Sequence, residues 1–233
     1  FRSLKRRNAI ETKDQSFLVS AYRPFVSKWT YFAKPITHRP YQNLDLFPVA
    51  GLSNRTIAAV VEPRAGFSTL ATDRLPNKDF FMPSAAQHFP RDRFTTAGDR
   101  LDNITDWALN KFVAHYGKAA KITKDDIFAY VYGVLHDPVY RQTYAQNLKR
   151  ELPRIPLYPD FRQWAGWGKR LMDLHIGYEA VDPWPLTRTD TPDQKARAAG
   201  VSPKVILKSD PATGTITLDS ETTLTGIPVQ AWD

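Results

Sequence analysis

The sequence predicts an α+β fold, in which a small antiparallel sheet with long basic loops packs on a helical bundle and a β-hairpin follows late in the chain. Three observations predict it. Short runs rich in β-branched and aromatic residues, bounded by Pro and Gly, lie before residue 72. Apolar residues then recur at helical spacing over residues 105–178, between identifiable helix caps. Two more β-branched runs flank Asp210, Pro211 and Gly214 near the end.

Taken in order, the chain opens on a basic run with Arg2, Lys5, Arg6 and Arg7. Residues 16–20 and 29–32 read as strands, and residues 33–50, with Pro35, Pro40 and Pro48, as a loop. Residues 56–61 and 67–71 are two strands joined by a turn at residues 63–66, an expected antiparallel pair. Residues 73–100 are rich in Pro, Arg and Asp, with Phe80, Phe81, Phe89 and Phe94 spaced among them. This stretch is expected to be ordered loop with little regular structure. Phe80, Phe81 and Phe89 could wedge into DNA, though such residues more often anchor a loop to the domain beneath it.

Ile104, Trp107, Phe112 and Tyr116 mark a first helix that Gly117 ends. Thr123 and Asp126 form a capping box, and Ile127, Phe128, Tyr130, Val131, Val134 and Leu135 follow at helical spacing. Asp137 and Pro138 are an N-cap and N1 proline, so one helix stops at His136 and another begins at once, running to a stop at Pro153. Asp160 caps a further helix through Phe161, Trp164, Trp167, Leu171, Leu174 and Tyr178. About four helices result, with Trp107, Tyr130, Tyr132, Trp164 and Trp167 as core residues. Residues 181–203 hold Pro183, Pro185, Pro192 and Pro203 and read as a long connection. Residues 205–207 and 215–218 form the late hairpin.

The 233 residues suit one large domain or two small ones, and 42% hydrophobic with 12% aromatic content provides for a core. There is no cysteine, which excludes disulfides and thiolate metal sites and fits a reducing, cytoplasmic setting. No apolar run reaches the length of a membrane span. The net charge of +8 is uneven. Residues 1–100 hold 16 Lys and Arg against 8 Asp and Glu, whereas residues 101–233 hold 16 of each. A basic half joined to a neutral half suits a polyanion-facing surface backed by a scaffold.

Motifs for catalysis are missing. An adenine methyltransferase holds the flipped base with an Asn/Asp-Pro-Pro-Tyr/Phe loop, and Arg39-Pro40-Tyr41 is not one. No Gly-rich loop precedes Lys-Ser/Thr, and no paired histidines have metal-ligand spacing. No catalytic or metal-binding residue is therefore named. His136 is expected to bond the last carbonyls of its helix, and His175 to be a satisfied, partly buried residue. His88 lies among arginines in an irregular segment, where a base-edge or phosphate contact is open to it. Candidates for base reading are Arg64, Arg74, Lys78, Gln87, His88, Arg91 and Arg93. Candidates for phosphate contact are Arg39, Arg55, Arg100, Arg188, Lys195 and Arg197. Arg74 has a structural alternative, an ion pair with Asp73 or Asp79.

Five segments occur in register with a known pattern. They are Tyr22-Arg23-Pro24-Phe25 with Trp29 and Tyr31, residues 70–76 (LATDRLP), residues 104–109 (ITDWAL), residues 122–156, and Asp173-Leu174-His175 with Tyr178-Glu179. Together they resemble the C-terminal specificity region of the type ISP restriction–modification enzymes, single-chain bacterial proteins joining a nuclease, a helicase-like ATPase, an adenine-N6 methyltransferase and a target-recognition domain. The resemblance covers nearly the whole chain. It implies that residues 1–40 end the methyltransferase or form its junction, and that residues 41–233 are the target-recognition domain, with 104–180 mostly helical. It further implies a piece of a longer protein whose partners are double-stranded DNA and the parent's other domains. No cofactor is expected in this piece; S-adenosylmethionine, ATP and Mg would serve the parent. Because a residue shared by enzymes with different targets is a poor reader of sequence, residues 87–93 and the 184–204 stretch, which depart from the pattern, are the better candidates. The competing expectation is a coupling module that docks the parent's domains without reading sequence. An independent hydrolase, built on carboxylates such as Asp73, Asp79 and Asp99, is the weakest reading.

Overall fold

A computed structural model describes residues 17–32, 43–48, 52–62, 66–81, 86–95 and 97–232. The chain divides into two compact units, Phe1–Ala180 and Val181–Asp233. Helices and several small, mostly antiparallel sheets make an α+β fold, as expected.

In the first unit, β1 (Phe17–Arg23) and β2 (Val26–Tyr31) form a hairpin whose tip places Phe25 in the left-handed region (φ 56°). That ring packs edge-on against His175 and Tyr178, a contact that compensates for the strained backbone. A short helix, α1 (Asn43–Leu46), sits within the expected loop. Strands β3 (Thr56–Glu62) and β4 (Gly66–Thr72) pair antiparallel from Thr56↔Thr72 to Glu62↔Gly66, the expected pair; most of the turn between them lies outside the described residues. The sheet is covered on both faces. Ile57 and Ala71 join the helical core, whereas Ala58 and Leu70 pack with Ala21 and Phe80. Phe80 is fully buried, so it anchors the loop as expected of such a residue.

Residues 73–100 depart from the expectation of little regular structure. They contain β5 (Leu75–Pro76), parallel to β1; β6 (Gln87–Pro90), antiparallel to β3; and β7 (Asp92–Phe94), which pairs with β8 (Arg100–Asp102) in a separate two-stranded ribbon. Each strand has two to four residues, too short for a period-2 pattern to emerge; β5 and β6 form by pairing with distant strands, and β7 and β8 by pairing with each other.

The helices follow their caps. Thr105 Oγ1 accepts from Ala108 N at the start of α2 (Asp106–Tyr116), and Gly117 (φ 85°) ends it. The capping box of α3 (Lys124–Leu135) is complete: Asp126 N donates to Thr123 Oγ1 at 3.1 Å and Thr123 N to Asp126 Oδ2 at 2.8 Å. Asp137 caps α4 (Pro138–Thr143), which stops ten residues earlier than Pro153. Beyond it isolated turns take over, such as Leu148 N to Tyr144 O, because Leu148 alone offers a buried apolar anchor there. Helix α5 (Phe161–Ile176) starts after Asp160, but Asp160 is left-handed (φ 56°) and makes no side-chain cap bond.

Helices α3 and α5 cross closely at Gly133 and Gly168. A Cβ on Gly168 would lie 1.9 Å from Ala129 O, so only glycine permits the crossing. Around it, Tyr130, Phe112 and Phe161 cluster, with Tyr130 and Phe161 stacked at 5.1 Å. Tyrosine hydroxyls tie the chain after α4 to this core: Tyr130 Oη donates to Pro156 O and accepts from Tyr158 N, Tyr116 Oη donates to Tyr158 O, and Tyr140 Oη to Arg154 O. Periodicity misplaced two residues. Trp107 is 71% exposed, with the Lys111 ammonium 5.0 Å from its ring centre, and Trp167 is 43% exposed.

In the second unit the late hairpin, β10 (Val205–Asp210) with β11 (Thr215–Asp219), belongs to a four-stranded antiparallel sheet ordered β10-β11-β12-β9. Strand β9 (Thr187–Asp190) and the short helix α6 (Gln194–Ala198) replace part of the expected long connection, and β12 (Thr222–Thr225) follows the hairpin and pairs with both β11 and β9. Among the described residues no helix is long and apolar enough to cross a membrane.

Candidate nucleic-acid interface

The excess charge belongs to the first unit. Residues 1–180 hold 27 Lys and Arg against 17 Asp and Glu, whereas residues 181–233 hold 5 against 7. Which cations are free to meet a polyanion depends on their partners.

Arg91 is not free. It is buried where β6 passes into β7, and its guanidinium meets three carboxylates. Nε donates to Asp125 Oδ1 at 2.6 Å, and Nη1 to Asp102 Oδ1 at 2.6 Å and to Asp92 Oδ1 at 3.1 Å. Burial opposes its charge, but the bonds from Asp102 and Asp125 outweigh it and hold the pKa above the ordinary arginine value. Arg100 pairs with the other oxygen of Asp92 at 2.7 Å. Lys124, the first residue of α3, bridges Asp102 and Asp106. Asn54, also buried, donates to Leu46 O and Asp92 O and accepts from Asp92 N, while Asn103 Nδ2 donates to Pro90 O. These bonds fasten the base of the β7–β8 ribbon to α3 and to the residues before β3. The sequence signal for the network was the Arg91-Asp92 neighbour pair and the acidic start of α3. Asp126 there read as the capping-box residue, Asp125 had no reading of its own, and the distant Asp102 carried no local mark.

Other candidates divide in the same way. Arg74 pairs with Glu179 at 2.9 Å and also bonds Ser27, so its partner is neither Asp73 nor Asp79. The bond from Arg74 pulls the Glu179 carboxyl down to about 2. Arg55 lies 3.5 Å from Asp173. In the second unit Arg188 pairs with Asp190, and Arg197 with the buried Glu221, which also accepts from Asp193 N. Lys78, Gln87, Arg93 and Lys195 are exposed and make no ion pair among the described residues. Arg39 and Arg64 lie outside the described residues.

His88 is not an irregular-loop residue. It sits on β6 opposite Ala58, beside Phe80, with both ring nitrogens buried and no hydrogen-bond partner among the described residues. Burial pushes its pKa down to about 4, so the ring is neutral at pH 7 and offers no charge to a phosphate. His136 and His175 take the expected structural roles. His136 Nδ1 donates to Tyr132 O at 2.9 Å, and His175 Nδ1 meets Tyr132 Oη at 2.6 Å. Among the described residues no three His, Asp or Glu side chains gather as a metal site.

Comparison with known proteins gives this geometry a context. The structure most informative for it is the cryo-EM DrdV–DNA complex, which shares 44% identity at a TM-score of 0.89, over 99% of this chain and 23% of that one. A nuclease-deletion mutant of the Type ISP restriction–modification enzyme LlaGI, in complex with a DNA substrate mimic, matches at 27% identity and TM-score 0.74, over 99% of this chain and 20% of that one. The ATP-dependent Type ISP enzyme LlaBIII bound to DNA shares the fold at TM-score 0.79 and 24% identity, over 99% of this chain and 15% of that one. The chain thus spans a quarter or less of each relative's length. No curated protein sequence matches it. The family model for the Type ISP C-terminal specificity domain matches residues 1–233, and the chain belongs to that family.

Proposed function

We propose that this chain is a sequence-specific double-stranded DNA recognition module of a restriction–modification enzyme. It positions the parent's adenine-N6 methyltransferase, and through it a helicase and nuclease, on a target. The observation that carries this reading is the match over 99% of the chain, at 44% identity, to a protein captured with DNA. The basic first unit, with exposed Lys78 and Arg93, supplies the electrostatics. S-adenosylmethionine, ATP and Mg belong to the parent's other domains, residues 1–40 to the methyltransferase junction, and the setting is the cytoplasm.

A salt titration of the chain on random duplex DNA, against duplexes selected from a randomised pool, tests this. Recognition predicts a steep fall in affinity with salt and enrichment of one short motif. A shallow slope without enrichment would sink it.

One observation favours a coupling role for the second unit. It carries a small acidic excess, and its edge strand β10 exposes Val205 and Leu207, each 70% accessible. An exposed apolar edge is a pairing surface that soluble proteins ordinarily protect.

A further inference from the structure

We propose that the β7–β8 ribbon enters the major groove of the target and that Arg93 reads a guanine edge there. This rests on the DNA-recognition reading above and assigns it an element and a residue.

Among the described residues the ribbon belongs to no larger sheet, and no other strand covers its outer edges. Its two strands pair through Asp92↔Asp102, Arg93↔Leu101 and Phe94↔Arg100. Directly opposite residues share a face, which separates the ribbon's chemistry into two sides. One side carries Asp92, which is buried, with Phe94 and Arg100, and it turns towards the Arg91 network. The other side carries Arg93 and Leu101, both exposed. Of the three arginines at the ribbon, Arg91 and Arg100 are neutralised by carboxylates; Arg93 has no partner among the described residues. The tip is braced as well. Thr95 N donates to Asp99 O and Gly98 N to Thr95 O, both at 2.9 Å, and Asp99 N donates to Thr95 Oγ1 at 3.0 Å.

The design is a stiff projection with one uncompensated guanidinium on its outward face. Two paired strands about 4.8 Å apart fit a B-DNA major groove of about 12 Å width. An arginine there bonds guanine O6 and N7 together, and an apolar neighbour such as Leu101 suits contact with a thymine methyl. The buried network explains how so small an element keeps its orientation: Arg91 pairs with Asp92 and Asp102 on the two ribbon strands and with Asp125 on α3, which leaves it little rotamer freedom.

The test repeats the pool selection with wild type, Arg93→Ala and Lys118→Ala, the last an exposed lysine of the helical body. In the expected result Arg93→Ala loses about 10- to 100-fold of discrimination at one guanine position, while its affinity for random duplex changes less than about threefold. Lys118→Ala keeps the motif. If wild type selects a motif and Arg93→Ala selects the same one undiminished, the ribbon assignment is overturned and DNA recognition stands. If wild type selects none, DNA recognition itself fails and takes this assignment with it. Because the chain has no cysteine, a second readout is clean. Arg93→Cys should exchange with an activated disulfide tethered to a major-groove base edge, and Lys195→Cys should not. Exchange at position 195 alone would also overturn the assignment.

Discussion

The helical body and the β6–β8 segment bury very different chemistry. Where α3 meets α5 the buried side chains are Tyr130, Tyr132, Val134, Phe161 and Met172, brought together by residues at helical spacing within each element. At the base of the ribbon the buried side chains are Asn54, Arg91 and Asp92, joined across 34 residues to Asp125 and across 38 to Asn54. The body is held by apolar area and close approach. The ribbon is held by directional bonds on one side only, which leaves its other face free to vary without disturbing the attachment. A recognition element needs that freedom, and a scaffold does not.

The largest break expected in the body is Gly168→Ala. The added carbon meets backbone atoms, Ala129 O at 1.9 Å and Gly133 N at 2.7 Å, which cannot rotate away. The helices must separate, at a cost of about 3 kcal/mol or more, since overpacking against fixed backbone lies at the upper end of such effects. Urea denaturation would show either a strongly lowered midpoint or no folded protein. A midpoint within about 0.5 kcal/mol of wild type would mean that the crossing is looser than described.

Arg91→Met tests the other region. Asp102 and Asp125 are accessible enough to return to water, but Asp92 has a side chain only 11% exposed and would keep Arg100 as its one ion-pair partner. Stranding a mostly buried carboxylate should cost about 2–3 kcal/mol, less than the 3–5 for a fully orphaned charge. Hydrogen exchange should separate the two variants. Gly168→Ala raises exchange throughout the first unit, whereas Arg91→Met raises it first at residues 92–102. Uniform loss of protection in Arg91→Met would show that ribbon and body unfold as one.

What could be read in the sequence follows the same division. The helix starts at Thr123 and Asp137 were visible because a cap is a local event, complete within four residues. The β3–β4 pair was visible for a similar reason, as two adjacent β-branched runs around a turn. Strands β5, β7 and β9 were not, since Leu75-Pro76, Asp92-Arg93-Phe94 and Thr187-Arg188-Thr189-Asp190 carry no pattern of their own. The conformation of β5 and β9 is set by partners far along the chain, and that of β7 by the equally short strand β8 just beyond it. For the candidate interface, composition identified the basic residues but not which of them were already paired. Arg91 and Arg93 are indistinguishable as letters, yet one is buried among carboxylates and the other is exposed without an ion-pair partner among the described residues. His88 was misjudged because the strand that buries it had no signal.

A smaller effect joins the body to solution conditions. Burial holds His136 at a pKa of about 4, with Arg141 also disfavouring its charged form, although the bond to Tyr132 O works the other way. The geometry agrees. Ala71 N donates to Tyr132 Oη at 2.9 Å, so the Tyr132 proton points to His175 Nδ1, and the neutral His175 carries its own proton on Nε2. Two neutral imidazoles 5.5 Å apart are thus built into the fold. The unfolded chain binds the His136 proton near pH 6.5 and the folded chain does not, so this stabilisation is complete above about pH 6.5 and is lost as the pH falls towards 4, with the partly buried His175 shifted in the same direction. For His136 alone the loss at pH 5 is about 2 kcal/mol. His136→Gln should therefore lower stability at pH 7.5 yet flatten the decline between pH 7 and 5 by about that amount, read from urea midpoints across the range. A decline as steep as that of wild type would place the acid sensitivity elsewhere, with buried His88 on β6 the next group to replace.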